Sequence, residues 1–369
     1  MGFNLKYLMF AMVVALLLGV ARAAAPVLRA GAAAADNFTV EQRSSAYGPE
    51  VVLRDATAHT TAMVLPQSGF NCWRFTLSQP GGAPVEFLAG PADTKALAKG
   101  GCEFGWPILF PFPNRVAHSE FTFGGKKIRV GPGPDNAIHG LVHSQPWRVT
   151  NTSTQNGASV TGVTDTDSNP DLKKYWPWPC RLTVTYRLNG LLLFMTAVAE
   201  NLGTEPMPFG FGVHPYHPLP LTPAGKRFDC QIQLPCTQRM ELTSDCIPTG
   251  RWMTGQLFRK LRTIGRAALD DVFGGVELSP DGSACKLFDP AIQGMVLMRA
   301  DNAFPYWVVF APTNRDVICF EPYTCVTDAF NLHARGEQHT GFATLESGKP
   351  WRGTVTMSVW LKTPTPEKK

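Results

Sequence analysis

Hydrophobic and polar residues alternate along much of the chain. Arg181–Leu188 (RLTVTYRL) and Gly353–Leu361 (GTVTMSVWL) place apolar or β-branched side chains at every second position. That is the period of a strand with one buried face. Glu120–Val130 (EFTFGGKKIRV) is two such runs around Gly124-Gly125, the signature of a hairpin. Leu191–Ala199 and Tyr306–Phe310 are unbroken apolar runs and predict strands buried on both faces. Helical periodicity is sparse, and Ala92–Lys99 predicts no more than a couple of turns. There is no internal repeat and no Gly/Ser linker. The pattern therefore predicts one large antiparallel all-β domain over about 46–363, with a polar tail at 364–369.

Composition sharpens this picture. Of 369 residues, 44% are apolar and 17% charged, which excludes a disordered chain. Thirty-four glycines and 31 prolines exclude a long helical bundle, because proline breaks helix interiors and glycine weakens them. The net charge of +5 comes with no dense basic run, so a nucleic-acid partner is not suggested. Residues 1–23 carry Lys6, an apolar run from Tyr7 to Val20 and the small-residue site Ala21-Arg22-Ala23. They predict a secretory signal peptide and an exported, periplasmic or extracellular protein. The run falls short of the ~20 residues that span a bilayer, and an uncleaved membrane anchor is the alternative. Residues 24–45, alanine-rich at their start, read as a low-complexity linker, and no later segment is long and apolar enough for a membrane helix. Nine cysteines follow the leader with no Cys-x-x-Cys pair, which argues against a zinc ribbon. An exported chain could form disulfides, but an odd count leaves one thiol over.

Polar chemistry gathers in a few segments rich in glycine and aromatics. In Pro107–Arg115 (PILFPFPNR), prolines hold an extended backbone that ends at Asn114 and Arg115. The planar guanidinium can donate to two vicinal hydroxyls at once, although a plain surface arginine is the other reading. Asn136–Trp147 (NAIHGLVHSQPW) carries His139 and His143. Their spacing suits two metal ligands only on a helix, which Gly140 and Pro146 disfavour. A loop histidine donating to a ligand hydroxyl and a structural histidine both remain open. Phe209–Leu219 (FGFGVHPYHPL) sets His214 behind two glycines and before Pro215, which favours an extended backbone there. In Ile318–Asn331 (ICFEPYTCVTDAFN), Glu321 follows an apolar stretch, where desolvation raises the basicity of a carboxylate. Asp270 in Leu269–Phe273 (LDDVF) is a further acid among apolar neighbours.

Taken in order, PFPNR, IHG, GFGVHPY, LDDVF and FEPYT resemble the aldose 1-epimerase (mutarotase) family over about residues 50–360. The resemblance implies a large antiparallel β-sandwich with sugar bound in an open concave groove. It implies that His214 is the general acid and Glu321 the general base. Arg115, His139 and Asp270 would hold sugar hydroxyls beside Asn114. The partner would be a small monosaccharide, and neither cofactor nor metal is implied. One branch of the superfamily acts on hexose 6-phosphates and carries an arginine soon after its His-Gly. Here Gly-Leu-Val-His stands instead, which argues against a phosphosugar.

Two other functions use the same residues. A hydrolase or lyase on this scaffold would pair Glu321 with Asp270 across a glycosidic bond, with carboxyls about 5–9.5 Å apart for hydrolysis. A non-catalytic sugar-binding protein would use Trp147, Trp176 and Trp178 as stacking platforms.

Overall fold

Arg181–Leu188 lies inside a strand, Cys180–Asn189, whose side chains alternate strictly between buried and half-buried. A computed structural model describes residues 37–46, 48–91, 102–255 and 258–362. The expected leader at 1–23, most of the alanine-rich stretch after it, the turns expected over Ala92–Lys99 and the tail at 364–369 lie outside the described residues.

Three large antiparallel sheets make up most of the described chain. The first has nine strands, with Cys180–Asn189, Leu192–Asn201, Pro350–Leu361 and Gly294–Ala300 side by side at its centre. The second has eight. Its centre runs Leu269–Val276, Tyr306–Ala311, Val317–Tyr323, and then two short strands, Gly212–Val213 and Tyr216–Pro218, that pair with Val317–Tyr323. The third, of five strands, runs from Phe38–Ser45 to Val85–Glu86. This is the expected all-β sandwich. Inward-facing Leu193, Met195, Val355 and Met357 of the nine-stranded sheet share one apolar core with Trp307, Val309, Ile318 and Phe320 of the eight-stranded sheet. Each such fully buried side chain contributes about 1.5–3 kcal/mol relative to exposure.

The hairpin forms as the pattern predicts: Glu120–Phe123 and Lys126–Arg129 pair around Gly124 and Gly125, both at positive φ. Tyr306–Ala311 is buried on both faces apart from a half-buried Phe310. Two expectations are corrected. Leu192–Asn201 alternates instead of being buried throughout. Its outer face is only half covered, with the Arg187 guanidinium lying 4.3 Å over the Phe194 ring and long side chains screening apolar surface as they do elsewhere. The linker expected to run to residue 45 ends earlier, because Phe38–Ser45 pairs residue by residue with Gly48–Asp55. An edge strand is held by backbone bonds and one half-covered face, so its composition stays polar. Trp147, Trp176 and Trp178 are also buried in the core, packed against neighbouring rings. They are not exposed platforms.

No helix among the described residues is long and apolar enough to cross a membrane. The nine cysteines are free thiols, seven of them buried.

Candidate active site

Period-2 geometry sorts the eight-stranded sheet into two faces. On Val317–Tyr323, Ile318 and Phe320 point into the core, so Cys319, Glu321 and Tyr323 share the opposite face. The neighbouring strands continue that face. Gly212 lies opposite Tyr323, Tyr216 opposite Cys319, and Val308 opposite Glu321. His214 falls midway between Gly212 and Tyr216, which sets it against Glu321. The result is an imidazole Nε2 3.3 Å from a carboxyl Oε1, with both side chains almost fully buried. Tyr216 stacks under His214, ring centroids 4.5 Å apart and 8° from parallel. Arg315 lies on Tyr216 in turn, 5.3 Å from the ring centroid.

A second set of residues closes in from the Pro107–Arg115 segment. Asn114 and His139 both adopt the left-handed backbone region, with φ of 52° and 65°. The His139 N–H donates to the Asn114 carbonyl at 2.8 Å, and Ile138 pairs with Arg115. Gly140 follows at φ +75°, where a Cβ would run into the Phe110 backbone. That close approach is what the His-Gly dipeptide permits. Asn114 Oδ1 accepts from the Arg115 backbone N–H and from its Nη1, at 2.9 and 3.1 Å. The Asp328 N–H donates to the Arg115 carbonyl, and Asp328 Oδ1 accepts from the Ala117 N–H. Asn114 thus holds the guanidinium, while Asp328 fixes the backbone around it. His139 meets His214 edge to face at 5.1 Å.

These groups line one cavity of about 400 Å³, which includes Asn114, Arg115, His139, His214, Asp270 and Glu321. All six residues expected from the sequence converge there. His143, Tyr216, Cys102, Glu103 and Arg315 line it as well. Tyr216 was legible in principle, since it is two residues from His214 on an extended segment. Arg315 sits in a turn, and nothing in its neighbours separates it from a surface arginine. His217 instead turns inward and sets Nδ1 2.8 Å from the Phe87 carbonyl, in the core.

The electrostatics follow from burial. Desolvation pushes the Glu321 carboxyl well above its usual value, and Asp270 adds to this; the Tyr323 hydroxyl and Arg115 oppose it. Desolvation pushes His214 down to about 3, with Arg315 acting in the same sense. His139 is held well below the ordinary histidine range by burial and by its histidine neighbours. Both shifts act against charge on the buried pair, favouring a protonated Glu321 and a neutral His214. The Tyr323 hydroxyl donates to Glu321 Oε2, leaving Oε1 toward His214. The arrangement sets one proton donor and one acceptor side by side in a cleft lined by further ionisable side chains. Cys319 lies beside both, so that His214, Cys319 and Glu321 also bring three ligand atoms within 4.8 Å of one another.

The model of the aldose 1-epimerase family matches residues 74–358. The chain belongs to that family. A curated relative, the uncharacterized protein YihR of Escherichia coli K12, is 26% identical over 252 residues, covering 66% of this chain and 76% of that protein. Among solved structures, a galactose mutarotase-like protein of Clostridium acetobutylicum superposes with a TM-score of 0.76 at 19% identity, over 89% of this chain and 99% of that one. The galactose 1-epimerase of Lactobacillus acidophilus NCFM superposes with a TM-score of 0.66 at 17% identity, over 88% and 98%. At these identities the likeness to the solved structures is one of fold.

Proposed function

We propose that this member of the aldose 1-epimerase family interconverts the α and β anomers of a free aldose. The observation that carries the reading is the His214–Glu321 contact at 3.3 Å in a cavity that Arg115, His139 and Asp270 also line. Anomer exchange needs a base to take the proton from the C1 hydroxyl and an acid to give one to the ring oxygen O5. A buried pair sharing one proton supplies both at once, with no net change of charge.

In the productive tautomer His214 carries the proton and Glu321 is a carboxylate. Sugar hydroxyls and the Arg115 guanidinium stabilise that carboxylate once substrate fills the cleft, offsetting the desolvation that disfavours its charge. Glu321 accepts the proton of the C1 hydroxyl while His214 protonates O5. The C1–O5 bond breaks, and the open-chain aldehyde rotates about C1–C2. Closure on its other face reverses both transfers. Arg115 donates its fork to neighbouring hydroxyls, His139 and Asp270 hold others, and Asn114 fixes the guanidinium. Each proton-transfer group contributes roughly 10²–10⁴-fold. Residues 1–23, read as an export leader, accord with a free sugar in preference to a phosphorylated one.

Polarimetry of freshly dissolved α-glucose and α-galactose tests this. The wild-type protein accelerates mutarotation, and His214→Asn and Glu321→Gln lose that acceleration while keeping the wild-type circular dichroism. Either variant working at the wild-type rate overturns the assignment. A hydrolase reading requires new reducing ends from an oligosaccharide, and a binding protein leaves anomer exchange at its spontaneous rate.

A further inference from the structure

We propose that His214, Cys319 and Glu321 form a site for a thiophilic divalent cation such as Zn²⁺ or Cd²⁺, and that its occupation blocks the proton relay. All three side chains are buried: Cys319 and Glu321 share one face of Val317–Tyr323, and His214 lies between the two short strands that pair with it. Their ligand atoms all fall within 4.8 Å of one another, and the His214 Nε2 to Glu321 Oε1 separation is 3.3 Å. A tetrahedral zinc ion with bonds of about 2.0–2.3 Å needs its ligand atoms roughly 3.3–3.7 Å apart. One edge already has that length, and small side-chain rotations bring the sulfur in. The cavity of about 400 Å³ reaches His214 and Glu321, so the fourth position opens on water.

The donor set of one nitrogen, one sulfur and one carboxylate oxygen suits zinc and cadmium in preference to magnesium or calcium, which take oxygen. Binding balances simply. The thiol and the proton-sharing pair each release one proton, and a thiolate, a carboxylate and a neutral imidazole then neutralise the dication. Both groups proposed to move protons become metal ligands in this state. The binding claim stands on geometry alone, whereas the loss of turnover rests on the mutarotase reading.

Cobalt titration separates the two. The full-length protein, reduced and metal-free, is titrated with Co²⁺. The expected result is a near-ultraviolet thiolate-to-cobalt band with tetrahedral d–d absorption, displaced by Zn²⁺. The band disappears in Cys319→Ser and Cys319→Ala and persists in Cys102→Ser. In mutarotation assays Zn²⁺ inhibits the wild type reversibly. Both Cys319 variants keep the metal-free rate within about twofold and need at least about tenfold more Zn²⁺ for half inhibition, since even outer-shell changes cost that much affinity. A wild-type protein with the band but no mutarotase activity keeps the site and removes the proposed function. No band at saturating Co²⁺, or a band that survives both Cys319 replacements, overturns the site whatever the activity.

Discussion

The ring of Tyr323 occupies the space that a side chain at Gly212 would need. A Cβ on Gly212 would run into the Tyr323 ring and lie 2.8 Å from Pro113 Cβ. The glycine in the Gly-Phe-Gly-Val-His segment is therefore there for a tyrosine more than a hundred residues away in the chain, and that tyrosine holds the Glu321 carboxyl. Gly212→Ala is expected to cost about 1–3 kcal/mol through overpacking. It should also depress the mutarotation rate by tilting Tyr323 away from Glu321. Urea unfolding measures the first effect, and polarimetry at saturating sugar the second.

Tyr323→Phe keeps the ring and removes the hydroxyl. A buried carboxyl oxygen then loses its donor, at a cost of about 1–3 kcal/mol. The Tyr323 hydroxyl lowers the Glu321 value, so its loss raises that value further and makes Glu321 harder to ionise. The expected outcome is a lower kcat with KM nearly unchanged, and an alkaline limb of the pH–rate profile moved to higher pH. A profile that keeps its shape while the melting temperature falls would assign Tyr323 to packing alone.

The proposed relay needs one proton on the pair, which sets the shape of that profile. Activity falls at low pH when His214 and Glu321 are both protonated and at high pH when the shared proton is lost. Burial holds His214 at about 3 against an ordinary value of 6.5. The acid limb is therefore expected well below 6.5, with the rate sustained in mildly acidic buffer. Catalysed rates corrected for spontaneous mutarotation, taken from acid to alkaline pH, check this. An acid limb centred at 6.5 would show that the pair does not share its proton in the way described.

Acid should also destabilise the fold through its buried histidines. His217 is fully buried and burial holds it at about 4; His143 is likewise held at about 4. An unfolded histidine takes up its proton near 6.5, so between 6.5 and about 4 the unfolded chain binds more protons than the native one. Stability is thus complete above that window and lost as pH falls through it. The His217 share is on the order of 3 kcal/mol. Melting temperatures recorded down this range should drop for the wild type, and His217→Gln should flatten part of the slope.

Arg115→Lys keeps the positive charge but gives up the fork held by Asn114. Losing two-point donation to vicinal hydroxyls is expected to raise KM, by roughly tenfold for about 1.4 kcal/mol. The effect on kcat should be smaller. Steady-state polarimetry over a range of sugar concentrations separates the two constants.

Much of this molecule was legible from local patterns. Alternation along Arg181–Leu188 and Gly353–Leu361 and the paired glycines at 124 and 125 report strands and a hairpin, because strand period and turn geometry involve only near neighbours. The six polar residues were legible as candidates through their glycine, proline and aromatic surroundings, and all six line one cavity. Burial on each face was harder to read. Leu192–Asn201 and Tyr306–Ala311 look alike as apolar runs, yet the first has an outer face half covered by side chains such as Arg187, while the second lies between the core and the cavity. Phe38–Ser45 carries little signal in its own residues because an edge strand draws its stability from a neighbour's backbone.

Residue types, strand period and the order of the motifs were thus determined by the chain on its own. Which strands became neighbours, and in what register, was decided only in three dimensions. Pairing His214 with Glu321 depends on the Gly212–Tyr323 and Tyr216–Cys319 alignments, and a slip of one residue would turn Glu321 into the core. The raised carboxyl, the depressed imidazole and the thiol within reach of both all follow from that register. They are products of desolvation and of distances across strands, and neither quantity exists until the sheet has closed over its core.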